Sequence, residues 1–461
     1  MSNKDLSEKI NLKNAENIFA ALYGENEINS ARRRYAALAN NISNNSFPES
    51  ELKNAHGELR VFSAPGRTEL AGNHTDHNRG KVLAASIQLD SAAVVQKRSD
   101  GIIFFRSTGF PDVKVKLTDE KGNFDLQPKA EETGTTEGLI RGIAAELHRR
   151  GCSVGGFSAN AESTVLPGSG LSSSAAVEVL IGCILDSLYG EGKRSPLEIA
   201  QIGQYAENVY FGKPCGLMDQ TACATGGAVA IDFSDAANPA VKRISFDLAA
   251  AGYALCVVNT GGSHADLTPD YASIPIEMKS AAAFFGKSVL REIDKETLLS
   301  RAAEIRKVLG DRALLRSIHF FDENERVEAM TGALLEMENA DTSEEKKAAF
   351  YRYLELINES GDSSWKLLQN VYSLNSSASQ GITTALALTK EFFKRQKLSG
   401  EYNSACYGAC RVHGGGFAGT IQAYIPLDAV DEYRCWIEKV FGADSVTPLR
   451  IRQTGAAELV F

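Results

Sequence analysis

The sequence has no run of 18 or more apolar residues, so no membrane-spanning helix is expected. Basic charge is not in excess either. Lys and Arg number 49 against 58 Asp and Glu, a formal net charge of −9. That argues against the broad basic surfaces that bind nucleic acid or anionic membranes. The eight cysteines (Cys152, Cys183, Cys215, Cys223, Cys256, Cys406, Cys410 and Cys435) are scattered, and none forms C-x-x-C. They read as buried free thiols of a reducing compartment rather than as a disulfide framework. The opening residues, MSNKDLSEKINLKN, lack the apolar core of a signal peptide, so a cytoplasmic protein is expected. No internal repeat or low-complexity segment is present.

What is there is long and mixed. A chain of 461 residues exceeds the size at which a single core stops growing. Two domains are expected, over 1–250 and 251–461, with a helical N-terminal extension over 1–58. Apolar spacing through Ile18, Phe19 and Leu22 and through Tyr35, Leu38 and Ile42 predicts the helices of that extension. Leu59–Phe62 reads as a strand ending in a turn at Ala64-Pro65-Gly66. Val82–Ile87 and Ala92–Arg98 read as two strands. Ser99-Asp100-Gly101 reads as a hairpin turn into Ile102–Arg106. Val113–Leu117, Phe157–Val165, Val229–Phe233, Ala254–Asn259, Gly419–Ile425 and Val446–Ile451 complete the predicted strands. Helices are expected over Glu137–Gly151, Ser173–Leu188, Pro196–Asn208, much of Ile276–Leu398, and Val430–Phe441. Strands and helices in both halves, without steady βαβ alternation, predict an α+β fold.

The segment Leu166–Ala176, LPGSGLSSSAA, carries the first chemical signal. A predicted strand ends in a glycine-rich turn, and serines open an apolar helix. Gly168 and Gly170 allow close backbone approach. The helix N-terminus offers unpaired N–H groups and a positive dipole end, which together bind phosphate. The candidate cradle is Gly168, Ser169, Gly170, Leu171, Ser172, Ser173, Ser174 and Ala175. No Gly-Lys-Ser/Thr follows, so this is not a Walker loop, and the compensating charge must come from elsewhere.

Three segments in order resemble the GHMP kinases, and within them the galactokinase branch. Ala64–Ile87, APGRTELAGNHTDHNRGKVLAASI, is similar to that branch's APGR-x-N-x-IGEHTDYN-x-G-x-VLP signature. LPGSGLSSSAA is the second, and Arg411–Gly419, RVHGGGFAG, is similar to RMTGAGFGG. Between them, Glu207–Gln220, ENVYFGKPCGLMDQ, is similar to the stretch ending PCGIMDQ. The resemblance implies a two-domain kinase fold with the active site in the inter-domain cleft. It implies ATP as co-substrate and Mg²⁺. It makes Asp219 the residue that takes or orients the anomeric hydroxyl of a sugar, and Arg67 the cation beside it. Ser174 and Glu207 become the Mg²⁺ ligands, and Asn73, His74, Asp76, Gly216 and Tyr271 the sugar contacts. Gly414–Gly416 are expected to pack the third segment against the phosphate cradle.

The sequence also departs from the pattern. Asn73 stands where the signature has glutamate, Glu69 where it has asparagine, and His77 where it has tyrosine. His74 and His77 at H-x-x-H spacing also allow a metal pair. The expected reaction is phosphorylation of a hexose at its anomeric hydroxyl, with galactose first. A uronic acid such as galacturonate is the alternative, because Asn73 removes a negative charge. A non-catalytic sugar sensor is the third reading. A monomer is expected.

Overall fold

The computed structural model describes residues 3–43, 47–165, 170–262, 267–376, 378–398 and 407–461. Gly168 and Ser169 of the predicted cradle, and Cys406, lie outside them.

Two sheets organise these residues. The strands are β1 Ala55–Ala71, β2 Lys81–Arg98, β3 Ile102–Ser107, β4 Val113–Lys116, β5 Phe157–Ser163 and β6 Ala228–Asp232. They continue with β7 Ala240–Ile244, β8 Tyr253–Asn259, β9 Ala409–His413, β10 Thr420–Pro426, β11 Val446–Leu449 and β12 Ala457–Leu459. The first sheet runs β12-β1-β2-β5-β3-β4, with β6 on the far half of β2 and β7 on β6. The second is β11-β8-β10-β9. The chain enters the second sheet at β8, yet its last strand, β12, returns to pair with β1.

Three local expectations are corrected. Ala64-Pro65-Gly66 is not a turn, because β1 continues through it. Pro65 pairs with Asp90, and the register shifts between Pro65 and Arg67. A β-bulge is one of the few strand-interior places where a proline fits. The two strands expected over 82–98 are one 18-residue strand, and polar Gln88 and Asp90 do not interrupt it. Ile102–Ser107 forms no hairpin with β2. β5 lies between them, parallel to β3 and antiparallel to β2. The short strands β7, β9 and β12 and the helix Met218–Thr225 were not expected from the sequence.

Side-chain alternation along β2 shows why the N-terminal helices exist. Ala93 and Val95 face a core shared with helices Thr136–Arg149, Ser173–Tyr189 and Pro196–Tyr205. Ala92 and Val94 face the opposite way, against Phe19, Tyr35 and Leu38 of helices Lys13–Tyr23 and Ile28–Ser43. A sheet apolar on both faces must be covered on both. Asp90 pins this cover in place. It is fully buried and accepts bonds from Tyr23 (2.6 Å), Arg34 (2.5 Å), Ser63 and Arg452 (3.2 Å). The second sheet is covered likewise. Leu255 and Val257 of β8 meet the helix Ser343–Ser363, and Cys256 and Val258 meet helices Gly381–Leu398 and Val430–Phe441.

Candidate active site

Arg67 and Glu69 are two residues apart on β1, so their side chains leave the same face of the strand. Both enter a cavity of about 280 Å³ lined also by Asn73, His74, Asp76, His77, Ser174, Glu207, Lys213, Gly216, Asp219, Tyr271, Gly414 and Gly415. Residues from both sheets' neighbourhoods meet there. The cleft gathers the expected catalytic pair, all five expected sugar contacts and both expected metal ligands. A larger cavity of about 490 Å³, lined by Tyr23, Arg34, Tyr253 and Arg450 among others, contains none of them.

Arg67 and Asp219 form a bidentate pair. Nε donates to Oδ1 at 2.8 Å and Nη2 to Oδ2 at 2.7 Å. Ser172 Oγ also donates to Oδ2. Burial alone would raise the Asp219 pKa. The charge and bonds of Arg67 and the Ser172 bond outweigh it, and the carboxyl sits below its ordinary range. Asp219 is therefore ionised at neutral pH, with a third of its side chain open to the cleft.

The cradle reaches this pair through backbone. Arg67 N–H donates to Leu171 O at 3.0 Å, and Arg67 Nη1 donates to Gly170 O. Gly66 permits that approach, since a Cβ there would lie 2.8 Å from Leu171 O. Ser172 occupies the N-cap of the helix Ser173–Tyr189 in the left-handed region, at φ 58°. Its hydroxyl goes to Asp219 rather than to the helix, so no side chain caps the first turn. The N–H groups of Ser173, Ser174 and Ala175 precede the first intrahelical bond, which is Ala176 N to Ser172 O. An uncapped helix start beside a cleft is the arrangement that receives phosphate.

Glu207 is the second residue of a π-helical turn, Ala206–Phe211, at the end of the helix Pro196–Tyr205. Such turns commonly mark functional sites. Gln220 Nε2 bridges Glu207 Oε2 (3.1 Å) and Glu178 Oε2 (2.9 Å). Glu178 Oε1 is buried without a partner. Burial, followed by the charge of Glu207, pushes the Glu178 pKa up. Lys213 Nζ stands 3.2 Å from Glu207 Oε1 and lines the cleft. Lys213 thus adds a cation beside Glu207 in the cleft. Sequence reading missed both Lys213 and Glu178. They lie in quoted or adjoining segments, but only the fold brings them to Glu207.

On the sugar side, His74 adopts φ 60°, and its Nε2–H donates to Gly415 O at 2.9 Å. Burial and then the neighbouring His77 depress its pKa to about 3, so it is neutral. Tyr271 lies 5.6 Å from the His74 ring, centroid to centroid, and covers Gly415. Burial and the Glu69 charge raise its hydroxyl to about 12. Gly216 faces Asp76, since a Cβ there would lie 2.5 Å from Asp76 Oδ2. Asn73 lines the cleft, but its amide is engaged on every side. Nδ2 donates to Glu69 Oε1 (3.0 Å) and Gly414 O (2.6 Å), and Oδ1 accepts from Asn370 (2.7 Å).

The third segment meets both the sugar-contact turn and the described part of the cradle. Gly414 and Gly415 bond Asn73 and His74, and Gly416 packs on Asn370. Among the described residues, this glycine run therefore supports the sugar-contact turn. It is His413 that faces the cradle: its ring lies closest to Gly170 and bonds Thr68 and Thr420.

Known proteins share this architecture. The GHMP kinases N terminal domain family matches residues 138–227, and the galactokinase galactose-binding signature matches residues 50–97. Solved structures similar to it include Lactococcus lactis galactokinase complexed with galactose. Its TM-score is 0.69 at 22% identity, covering 99% of each chain. Methanococcus jannaschii mevalonate kinase has a TM-score of 0.55 at 13% identity, covering 86% of this chain and 99% of the other. The fold is the GHMP kinase fold, and the protein is a sugar kinase. Galactokinase of Streptomyces coelicolor is 35% identical over 288 residues, 61% of this chain and 70% of the relative. That of Clostridium tetani is 30% identical over 290 residues, 62% and 72%. The chain belongs to the galactokinase family.

Proposed function

We infer that the protein transfers the terminal phosphoryl group of ATP to the anomeric hydroxyl of galactose, giving galactose 1-phosphate. The observation that carries this reading is the ionised Asp219, held by Arg67 on the cleft floor beside the open helix start at Ser173–Ala175. The galactose-binding signature flanking the same cleft supports the choice of sugar.

In this reading Asp219 accepts a hydrogen bond from the anomeric hydroxyl and orients its oxygen at phosphorus. A carboxylate with a lowered pKa is a weak base. It takes the proton as the oxygen–phosphorus bond forms and the bond to the ADP leaving group breaks. Arg67 offsets charge on the transferring group. The helix start and the residues following Gly170 receive the phosphates.

Glu207 and Ser174 fit a Mg²⁺ ion. Both line the cleft, both offer oxygen, and the unpartnered Glu178 oxygen lies across Gln220 from Glu207. When bound, Mg²⁺ supplies charge neutralisation to the phosphates. Lys213 neutralises Glu207 in its absence and adds positive charge to the same wall.

A uronic acid acceptor finds less support. The acidic group that Asn73 was read as removing is present in the same cleft as Glu69, bonded to Asn73. We place the domain division near residue 250, with β12 crossing back to the first sheet, and the enzyme as a cytoplasmic monomer acting on free sugar and ATP. No helix among the described residues is long and apolar enough to cross a membrane. The test is ADP release by purified protein with galactose, galacturonate and other hexoses, with and without Mg²⁺. Galactose should lead the panel. Equal turnover of galacturonate would overturn the sugar assignment. Sugar and ATP binding without any ADP release would indicate a sensor instead.

A further inference from the structure

Position 69 holds glutamate and position 73 asparagine, the reverse of the signature the segment resembles. In the fold these two side chains touch: Asn73 Nδ2 donates to Glu69 Oε1 at 3.0 Å. The carboxylate and the amide have changed places across one hydrogen bond.

The two partners are used differently. Every polar atom of the Asn73 side chain is bonded within the protein, and the residue is 1% exposed. Both bonds to the Glu69 side chain fall on one oxygen. Oε1 takes Asn73 and also Arg411 Nη2 at 2.7 Å. Among the described residues no donor reaches Oε2. That oxygen is not among the buried polar atoms lacking a partner, and Glu69 lines the cleft. Arg411 is itself fully buried, with Nη1 on Leu70 O at 2.7 Å, so it fixes Glu69 from behind without entering the cleft. A carboxylate fixed through one oxygen, with the other facing a sugar-sized cavity, is a preorganised acceptor for a hydroxyl group.

We propose that Glu69 is a specificity-determining residue of this enzyme: its Oε2 accepts a hydroxyl of the bound hexose, and Asn73 and Arg411 are positioning residues that aim it. The inference rests on the galactose kinase reading and adds to it the carboxylate that the exchange moved. It assigns neutral sugars as the substrate class. Glu69 stands two residues from Arg67 on one strand face, and its charge reaches Tyr271, so it belongs to the wall between the catalytic arginine and the sugar-side tyrosine.

The alternative is that Glu69 serves only as the partner of Arg411. Glu69→Gln separates the two readings, because glutamine keeps an acceptor for Arg411 and removes the charged acceptor in the cleft. Loss of a charge-assisted hydroxyl bond should raise the galactose KM about 10- to 100-fold. The KM for ATP should be unchanged. The double variant Glu69→Asn with Asn73→Glu, which restores the order of the signature, should recover much of the galactose KM. On a set of singly deoxygenated galactoses, the Glu69→Gln penalty should vanish for the one sugar lacking the partner hydroxyl.

A wild type that does not phosphorylate galactose overturns the function and this inference with it. An active wild type whose Glu69→Gln variant loses thermal stability but keeps its galactose KM overturns this inference alone. So does a penalty that persists unchanged on every deoxygalactose. Should Glu69→Gln not fold, Asn73→Asp gives the same reading through displacement of Glu69. A raised galactose KM with unchanged ATP KM is expected, and an unchanged galactose KM rejects the proposal.

Discussion

Arg67 grips Asp219 through two parallel bonds, 2.8 Å from Nε and 2.7 Å from Nη2, and so fixes both the orientation and the charge of the carboxylate. Planar pairing of this kind is available to arginine and not to lysine.

Arg67→Lys should therefore do more than weaken a salt bridge. Asp219 loses part of what holds its pKa down, and burial then pushes it up. In the wild type the ionised form persists to pH values below the ordinary aspartate range. In the variant the acid limb of kcat/KM should move to higher pH, and kcat should fall by about 10²- to 10³-fold. A pH–rate profile checks this. An acid limb that stays in place would show that Arg67 does not set the Asp219 charge.

Glu178 gives a prediction of the opposite sign. Its folded pKa is raised by burial and by Glu207, so the folded state keeps a proton that the unfolded state releases above its ordinary value near 4.5. Stability should fall as pH rises through and above that value, until the folded carboxyl ionises too. Glu178→Gln removes this titration. Thermal melts from pH 5 upward, without Mg²⁺, should show a flatter Tm profile for the variant.

Asp90 ties the N-terminal helices to the first sheet and to Arg452 near the C-terminus. Replacing it with alanine leaves Arg452 with an uncompensated buried charge and Arg34 with only the longer Glu162 contact at 3.7 Å. The expected loss is about 3–5 kcal/mol in chemical denaturation. The galactose and ATP KM of the folded protein should be unchanged.

Gly415 lies under Tyr271, where a Cβ would come within 1.7 Å of the tyrosine oxygen. Gly415→Ala must displace the ring and disturb the Gly415 carbonyl that fixes His74. The sugar KM should rise by about tenfold or more, as misplacement of binding groups by an ångström predicts. The KM for ATP should hold. Steady-state kinetics with each substrate varied in turn measures both.

Much of the site was legible in the chain. Asp219, Arg67 and Glu207 sit in contiguous segments whose resemblance to the kinase motifs implied their roles, and a helix opened by serines after glycines needs only local geometry to present its N–H groups. Local reading failed where pairing was remote. Pro65 suggested a turn because a strand-interior proline is rare, and only the bulge opposite Asp90 accommodates it. Ser99-Asp100-Gly101 suggested a hairpin, because nothing nearby announces that β5, more than fifty residues on, will lie between β2 and β3.

The sequence by itself presented a phosphate-binding helix start, because that feature acts through one short segment, and the resemblance of its motifs implied a kinase with a carboxylate and an arginine at its centre. The tertiary structure decided the rest. It turned the Ser172 hydroxyl away from its helix toward Asp219 and brought Lys213 and Glu178 to Glu207. It also bonded Asn73 to Glu69, so that an apparent loss of acidity in the sugar pocket became a transfer of the carboxylate to the neighbouring side chain. Hydrogen bonds of about 3 Å between residues set by separate elements follow from packing, and no local pattern encodes them.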